Sequence, residues 1–165
     1  KKKKIFDYKI YSEDSYLEKL RKNNHYAFIT IGQIKSYSNR KKIFEKLLKL
    51  KYKIPVIKSK SSIISKKSKI GAGTIVMRQS QIGYNSKIGK NCILNDKSLI
   101  EHDCTLGDNV HISTGAILNG NVSVGSGSFI GSGSIIKNSV KIGRDVVVDA
   151  GQYVSKDVQN NSIIK

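Results

Sequence analysis

Every sixth residue from Ile64 to Val154 is Ile, Leu or Val. The run is Ile64, Ile70, Val76, Ile82, Ile88, Leu94, Ile100, Leu106, Ile112, Leu118, Val124, Ile130, Ile136, Ile142, Val148 and Val154, without a break. A helix repeats every 3.6 residues and a strand every two, so neither alone keeps a six-residue register. A triangular coil does. Each hexad makes one flat face and one corner, and three hexads close a turn of 18 residues. Residue n then stacks under n+18, and successive turns hydrogen-bond as parallel strands about 4.8 Å apart. The ladder gives about five turns, and such a solenoid is stabilised by neighbour stacking rather than by a separate core. The period does not set the hand of the coil.

Two further slots repeat. The residue after the aliphatic is Gly at 71, 83, 89, 107, 125, 131 and 143, with Asn95, Asn119 and Asp149 in the same place. These types tolerate left-handed backbone angles, so this slot is expected to turn the corner. Four residues after the aliphatic the side chain is small or β-branched, as at Ser68, Thr74, Ser86, Cys92, Cys104, Ala116 and Ser128, with Gln152 the exception. This residue is expected beside the aliphatic, where the interior narrows. Cys92 and Cys104 therefore read as buried packing thiols.

Residues 1–60 have a different texture. Ala27–Ile31 is a short apolar, β-rich run. Asn39 is placed to cap a helix through about Lys51, with Ile43, Leu47 and Leu50 on one face. Ser15–Lys22 reads as a shorter helix, and Ile54–Ile57 as a strand leading into the coil. Strand, helix and strand suggest a partial α/β, Rossmann-like segment. The expected organisation is thus 1–60 partial α/β, 61–158 parallel β-helix and 159–165 a polar, ragged tail.

The net charge is +18, with 30 Lys and Arg against 12 Asp and Glu. It is concentrated in residues 1–60, which hold 18 of the basic and 5 of the acidic residues. That balance suits anionic partners such as nucleic acid, anionic lipid or phosphorylated small molecules, and a solvated lysine-rich surface accounts for it equally. No recognised nucleic-acid motif accompanies the charge, so no nucleic-acid partner is expected. The four lysines at the start lack the apolar stretch of a signal peptide, and no segment has the length of a membrane span. Two cysteines without a secretory signal fit a reducing, cytoplasmic setting.

The chemistry-bearing residues sit mid-coil. His102 and His111 occupy non-interior slots and are expected to face outward at or near a corner. His102 lies in Glu101-His102-Asp103. An imidazole titrates near neutrality and takes protons from amines or hydroxyls, and an adjoining carboxylate fixes its tautomer. A solvated histidine on a polar edge is the alternative. The 18-residue rule stacks Gly120 over His102, where its backbone N–H is a candidate oxyanion donor for acyl transfer. Completing a corner is the alternative reading of Gly120. Two outward histidines do not make a three-histidine zinc site, so no metal is expected.

The hexads, the segment from Asn95 through Glu101-His102-Asp103-Cys104, and the run Gly107-Asp108-Asn109-Val110-His111-Ile112-Ser113 resemble the NeuD/PglD-type sugar acetyltransferases. Ala27–Gln33 followed by Arg40 extends the similarity over most of the chain. The family comprises sialic acid O-acetyltransferases and nucleotide-activated 4-amino-sugar N-acetyltransferases. The resemblance implies a left-handed parallel β-helix and a homotrimer. It also implies acetyl-CoA in the groove between subunits and a sugar or sugar-nucleotide acceptor bound by the N-terminal segment. It assigns His102 as the base and Asp103 as the acid that tunes it. His111 becomes a contact to acetyl-CoA, Gly120 the oxyanion donor and Asn95 a polar residue near the acceptor. Ser132 and Ala150 become backbone contacts to acetyl-CoA. The strand and Gly-rich turn that open the family's acceptor domain are not matched. A non-catalytic binding solenoid is the rival from another class.

Overall fold

The computed structural model describes residues 4–11, 13–34 and 36–165; three of the four opening lysines lie outside them. From Ile57 onward the chain winds into a parallel β-solenoid of about six turns. Each turn contributes one two-residue strand to each of three sheets. The first sheet has seven strands, from Ile57–Lys58 through Ile93–Leu94, His111–Ile112 and Phe129–Ile130 to Ile163–Ile164. The second has six, from Ile63–Ile64 to Tyr153–Val154 and including Leu99–Ile100 and Ile117–Leu118. The third has five, from Lys69–Ile70 to Lys141–Ile142. Ile64 pairs with Ile82, Ile82 with Ile100 and Ile100 with Leu118, so the 18-residue register holds.

The solenoid exceeds the expected five turns at both ends. Residues 159–165, expected as a ragged tail, carry a further strand, Ile163–Ile164, on Val147–Val148. Val158 bridges Ile142 before it. The polar stretch is compatible with the coil because its side chains close open backbone groups: Asn160 Oδ1 accepts from Arg144 N–H at 2.7 Å.

The aliphatic ladder fills the interior, with Leu94, Ile100, Ile112, Leu118, Ile130 and Ile136 fully buried. The small slot beside it closes hydrogen bonds between turns. Ser86 Oγ donates to Glu101 O at 2.6 Å and accepts from Cys104 N–H at 3.0 Å. Thr74, Ser128 and Ser134 repeat both bonds with their own neighbours. A hydroxyl satisfies a carbonyl and an amide that would otherwise be buried unpaired. Cys92 and Cys104 fill the same slot as free, buried thiols, pushed up to about 12 and about 11 mainly by desolvation.

The corner slot differs from the expectation. Left-handed angles occur three residues after the aliphatic, at Asn85, Asn91, Lys97, Asp103, Asn109, Gly115 and Asn121, not at the glycines that follow it directly. Those glycines are required by close approach. A Cβ on Gly89 would lie 2.4 Å from Gly107 O, and one on Gly83 would lie 2.6 Å from Glu101 C. Asn95, Asn119 and Asp149 likewise have no positive φ.

Ahead of the solenoid, two helices pack over a small core of Ile29, Phe44, Leu47, Tyr52 and Ile54. Helix α1 (Tyr16–Arg21) lies within the expected Ser15–Lys22. Helix α2 (Ser38–Lys49) has Tyr37, not Asn39, at its N-cap. Its buried side is Arg40, Phe44 and Leu47, with Ile43 and Leu50 only partly covered. The expected strand over 27–31 does not form. The only bridge there is Tyr26 to Lys53, and Ile29 O and Ile31 O instead accept from the Arg40 guanidinium at 2.9 and 2.8 Å. The strand expected at Ile54–Ile57 begins at Ile57. Ile54 is drawn into the helical core, and Ile54 O and Pro55 O accept from Gly73 N–H.

Candidate active site

His102 follows the strand Leu99–Ile100 and stands at the corner between the second and third sheets, its side chain 58% exposed. Its main chain is fixed by the turn above, where Asn121 N–H donates to His102 O at 2.9 Å. His102 Nδ1 lies 2.9 Å from Asp103 Oδ2. A carboxylate only accepts, so in the neutral imidazole the proton sits on Nδ1 and Nε2 carries the lone pair. Asn85, one turn below, donates from Nδ2 to Asp103 Oδ1 at 2.7 Å. Both carboxylate oxygens are thus engaged. The Asn85 bond, then the His102 bond, hold the Asp103 carboxyl below its ordinary value.

Gly120 stacks over His102 as the 18-residue rule requires. A Cβ there would lie 2.6 Å from both Cε1 and Nε2 of His102. The glycine therefore makes room for the ring. Among the described residues, Gly120 N–H has no backbone acceptor, whereas Asn121 and Ser139 beside it are bonded between turns.

His111 faces outward as expected, but it lies on the strand His111–Ile112 of the first sheet rather than at a corner. It points off the coil but is buried, 8% exposed, under the segment that precedes α2. Nδ1 lies 2.6 Å from Gln33 O, a carbonyl that can only accept, so Nδ1 carries the proton here too. Phe129 meets the ring edge-on at 5.1 Å. Burial lowers the His111 pKa, the Gln33 bond opposes the shift, and Arg40 adds to it. Nε2 is buried with no partner among the described residues.

Gln33 also donates through its side chain to Asn109 O. Asn109 Oδ1 accepts from Asn91 Nδ2 at 2.8 Å, and Asn91 O accepts from Arg40. This buried polar strip joins the helical segment to the first sheet. Its link to His111 through Gln33 has no signal in the hexad pattern. Asn85, by contrast, is reachable from Asp103 by subtracting 18.

His102, Asp103 and Gly120 thus converge on one corner. The other sequence-derived positions are elsewhere. Asn95, Ser132 and Ala150 lie in the connections between the first and second sheets, and His111 lies on the first sheet. Asn95 Oδ1 is turned onto Asp96 N–H at 2.8 Å. Ser132 Oγ pairs with Ser113 Oγ at 2.8 Å, and Ser132 O accepts from Gly151 N–H, so Ser132 and Ala150 lie on adjacent turns. Within one chain these two groups occupy different corners. Among the described residues no cluster of His, Cys, Asp and Glu is arranged to hold a metal, and no helix is long and apolar enough to cross a membrane.

The model for the bacterial transferase hexapeptide, six repeats, matches residues 85–120 and 103–138. That for the hexapeptide repeat of succinyl-transferase matches 121–156. A search of curated protein sequences finds no match. Among solved structures, the fold is similar to a perosamine N-acetyltransferase variant from Caulobacter crescentus in complex with CoA and GDP-perosamine. The TM-score is 0.91 at 28% identity, over 96% of this chain and 75% of that one. It is also similar to the acetyltransferase domain of PglB from Neisseria gonorrhoeae in complex with acetyl coenzyme A, with TM-score 0.91 at 25% identity over 99% and 78%. WeeI from Acinetobacter baumannii gives 0.85 at 28% identity over 98% and 77%. With its six-residue ladder, its turn-by-turn register and these likenesses, the chain is a hexapeptide-repeat acyltransferase similar in fold to the sugar acetyltransferases.

Proposed function

We propose that the chain transfers an acetyl group from acetyl-CoA to an amine or hydroxyl of a nucleotide-activated sugar in surface-glycan biosynthesis. The observation that carries this reading is His102, its Nδ1–H held on Asp103 and its bare Nε2 beside Gly120. Nε2 takes the proton from the acceptor as its nitrogen or oxygen attacks the thioester carbonyl. Gly120 N–H donates to the oxygen that gains charge. When the tetrahedral intermediate collapses, the C–S bond breaks and the thiolate leaves with the proton that His102 returns. Asp103 stays ionised and favours the imidazolium between the two transfers.

The remaining positions fit a long co-substrate along the coil. Ser132 and Ala150 succeed one another up adjacent turns, and the bare Nε2 of His111 is a buried acceptor suited to an amide N–H of a pantetheine arm. Asn95 is the polar residue assigned to the acceptor. Because these positions and His102 occupy different corners of one chain, the reading requires a second copy, and we take the assembly to be a homotrimer. The outward residues favour this. The second sheet presents Leu99, Ile117 and Ile135, whereas the third presents Lys69, Lys87, Thr105, Ser123 and Lys141. The reading places the enzyme in the cytoplasm. GDP-perosamine in the Caulobacter complex favours an amine over a hydroxyl.

The test is thiol release from acetyl-CoA across a panel of nucleotide-activated amino sugars and sialic acids, with sedimentation for the assembly. Acceptor-dependent release is expected, and His102→Ala should lower it by roughly 10²- to 10⁴-fold. Full activity of His102→Ala would overturn the mechanism.

A further inference from the structure

One device recurs along the corners of the coil. An asparagine with a left-handed backbone angle donates from Nδ2 to the side chain 18 residues on. Asn91 donates to Asn109 Oδ1 at 2.8 Å, and Asn121 to Ser139 Oγ at 3.1 Å. Asn85 does the same at 2.7 Å, but its acceptor is Asp103 Oδ1. Of the three bonds, only that of Asn85 ends on a carboxylate, and that carboxylate is the partner of His102.

Asp103 is held at three points. Its main chain is fixed from below, where Asp103 N–H donates to Tyr84 O at 2.9 Å. Oδ2 lies 2.9 Å from His102 Nδ1, and Oδ1 accepts from Asn85. The side chain is 45% exposed, so water competes for both oxygens. A bond on one oxygen alone leaves the carboxylate free to turn about its outer torsion, which has a broad minimum. A second bond on the other oxygen fixes its plane. A hydrogen bond to an ionised acceptor is about twice as strong as a neutral one, so this rung of the corner holds better than the other two. At this corner the groups that titrate are Glu101, Asp103 and the buried Cys104 on the turn of His102, and Tyr84 on the turn below. The turn above, from Asn119 to Val122, has none.

We propose that Asn85 is a positioning residue for acetyl transfer: its side-chain amide holds Asp103 in the plane that keeps Oδ2 on His102 Nδ1, and so leaves Nε2 bare for the acceptor's proton. The inference rests on the reading of His102 as the base. It differs from a plain corner role in what position 85 must hold. A corner needs only a residue that accepts a left-handed angle, and glycine and aspartate both do. Positioning needs a donor. Lysine supplies one, and this coil tolerates it in that conformation, since Lys97 has φ 59 at the same slot.

Asn85→Gly, Asn85→Asp and Asn85→Lys, each made in the whole chain, separate the two roles. Four quantities are measured for each: steady-state acetyl transfer, its pH profile, the nitrogen-15 shifts of His102 and the melting temperature. Asn85→Gly and Asn85→Asp should lose about 10- to 100-fold in kcat with both KM values unchanged, the size of loss expected when a group that orients a functional histidine goes. Asn85→Lys keeps the donor and should stay within about threefold of wild type. In Asn85→Gly the resting imidazole should show mixed tautomers in place of one protonated at Nδ1. Its melting temperature should stay within about 2 °C of wild type, because glycine adopts the corner angle freely. An added carboxylate favours the imidazolium and an added ammonium opposes it. The acid limb of kcat/KM should therefore move to higher pH in Asn85→Asp and to lower pH in Asn85→Lys. Equal activity in all three variants overturns the inference and leaves the proposed function standing, and so does a loss of kcat that only follows a fall in melting temperature. An Asn85→Lys enzyme as slow as Asn85→Gly overturns it as well. Mixed tautomers in Asn85→Gly, when even the wild type transfers no acetyl group, support the positioning of His102 and overturn the function.

Discussion

Replacing Gly120 with alanine isolates the geometry on which the proposed chemistry depends. The new Cβ would lie 2.6 Å from His102 Cε1 and Nε2 and 3.3 Å from Cδ2, with no backbone atom among its nearest contacts. Ordinary contact begins near 3.4 Å, so the imidazole must retreat by about 0.8 Å or rotate off its rotamer, at about 0.5–1.5 kcal/mol. Either movement pulls Nδ1 from Asp103 Oδ2, now at 2.9 Å. The tautomer is then no longer fixed, and the methyl covers the space where Nε2 would meet the acceptor. A displacement of about 1 Å in a catalytic group costs about 10²-fold, so kcat should fall about 10²-fold, approaching the His102→Ala level. Stability should not fall. Gly120 has no positive φ, His102 is exposed enough to move, and alanine restricts the unfolded chain, which stabilises by about 0.4–1 kcal/mol at compatible sites. The assay is thiol release with a disulfide reagent alongside a thermal melt. Cys92 and Cys104, buried with thiols pushed up to about 12 and about 11, should contribute no native-state background. The double variant with His102→Ala should be little worse than His102→Ala alone. A Gly120→Ala enzyme with kcat within about threefold of wild type would refute the contact. A fallen melting temperature with refolded activity intact would reassign Gly120 to the coil.

Three other outcomes are expected. Asp103→Asn should cut kcat by about 10²–10⁴-fold with little change in acetyl-CoA KM, because the amide no longer enforces a proton on Nδ1; nitrogen-15 shifts of His102 should show mixed tautomers, and an unchanged tautomer refutes the assignment. His111 has a folded-state pKa lowered by burial, so its neutral form stabilises the fold above the unfolded value of 6.5 and that stability is lost as pH falls below it; the wild-type melting temperature should drop from pH 7 to pH 5 more than that of His111→Asn, and parallel curves would refute this. Gly89→Ala places a Cβ 2.4 Å from a backbone oxygen, which cannot swing aside, and should cost about 1–3 kcal/mol by urea unfolding; a neutral substitution would mean that adjacent turns can separate more than their ladder bonds suggest.

The parts of the molecule that obey the six-residue period were legible before the structure. The aliphatic ladder gave the three-sheet interior, and adding 18 gave the Gly120–His102 stacking, because equal turns convert sequence distance directly into height. The same period misled about the corner. Glycine reads as a left-handed residue by habit, but at 71, 83, 89 and 107 it answers a contact between turns that a one-dimensional pattern does not show. The left-handed angle is taken by Asn85, Asp103 and Asn121, which tolerate it and use their side chains along the corner. Periodicity also stops short of His111. Its slot is outward, and only the fold of residues outside the repeat determines that Gln33 lies over it.

That segment shows why the N-terminal residues are part of the site's construction. Arg40 is buried with its charge, yet among the described residues its guanidinium meets no carboxylate; it donates to Ile29 O, Ile31 O, Gly73 O and Asn91 O. Four carbonyl dipoles replace the solvent that burial removes, and desolvation still lowers its pKa. Two of those carbonyls belong to the run that would otherwise make a strand, and two belong to the coil. One side chain therefore clamps the 29–31 segment onto the first sheet. Two residues beyond Ile31, the carbonyl of Gln33 sets the His111 proton, and its amide bonds Asn109 O on the same face. A truncated Arg40 would leave those carbonyls without donors and free the segment, and His111 would lose both its cover and its tautomer. On the proposed reading, the side of the coil that meets acetyl-CoA is thus held in order by the N-terminal segment, to which the resemblance assigns the acceptor.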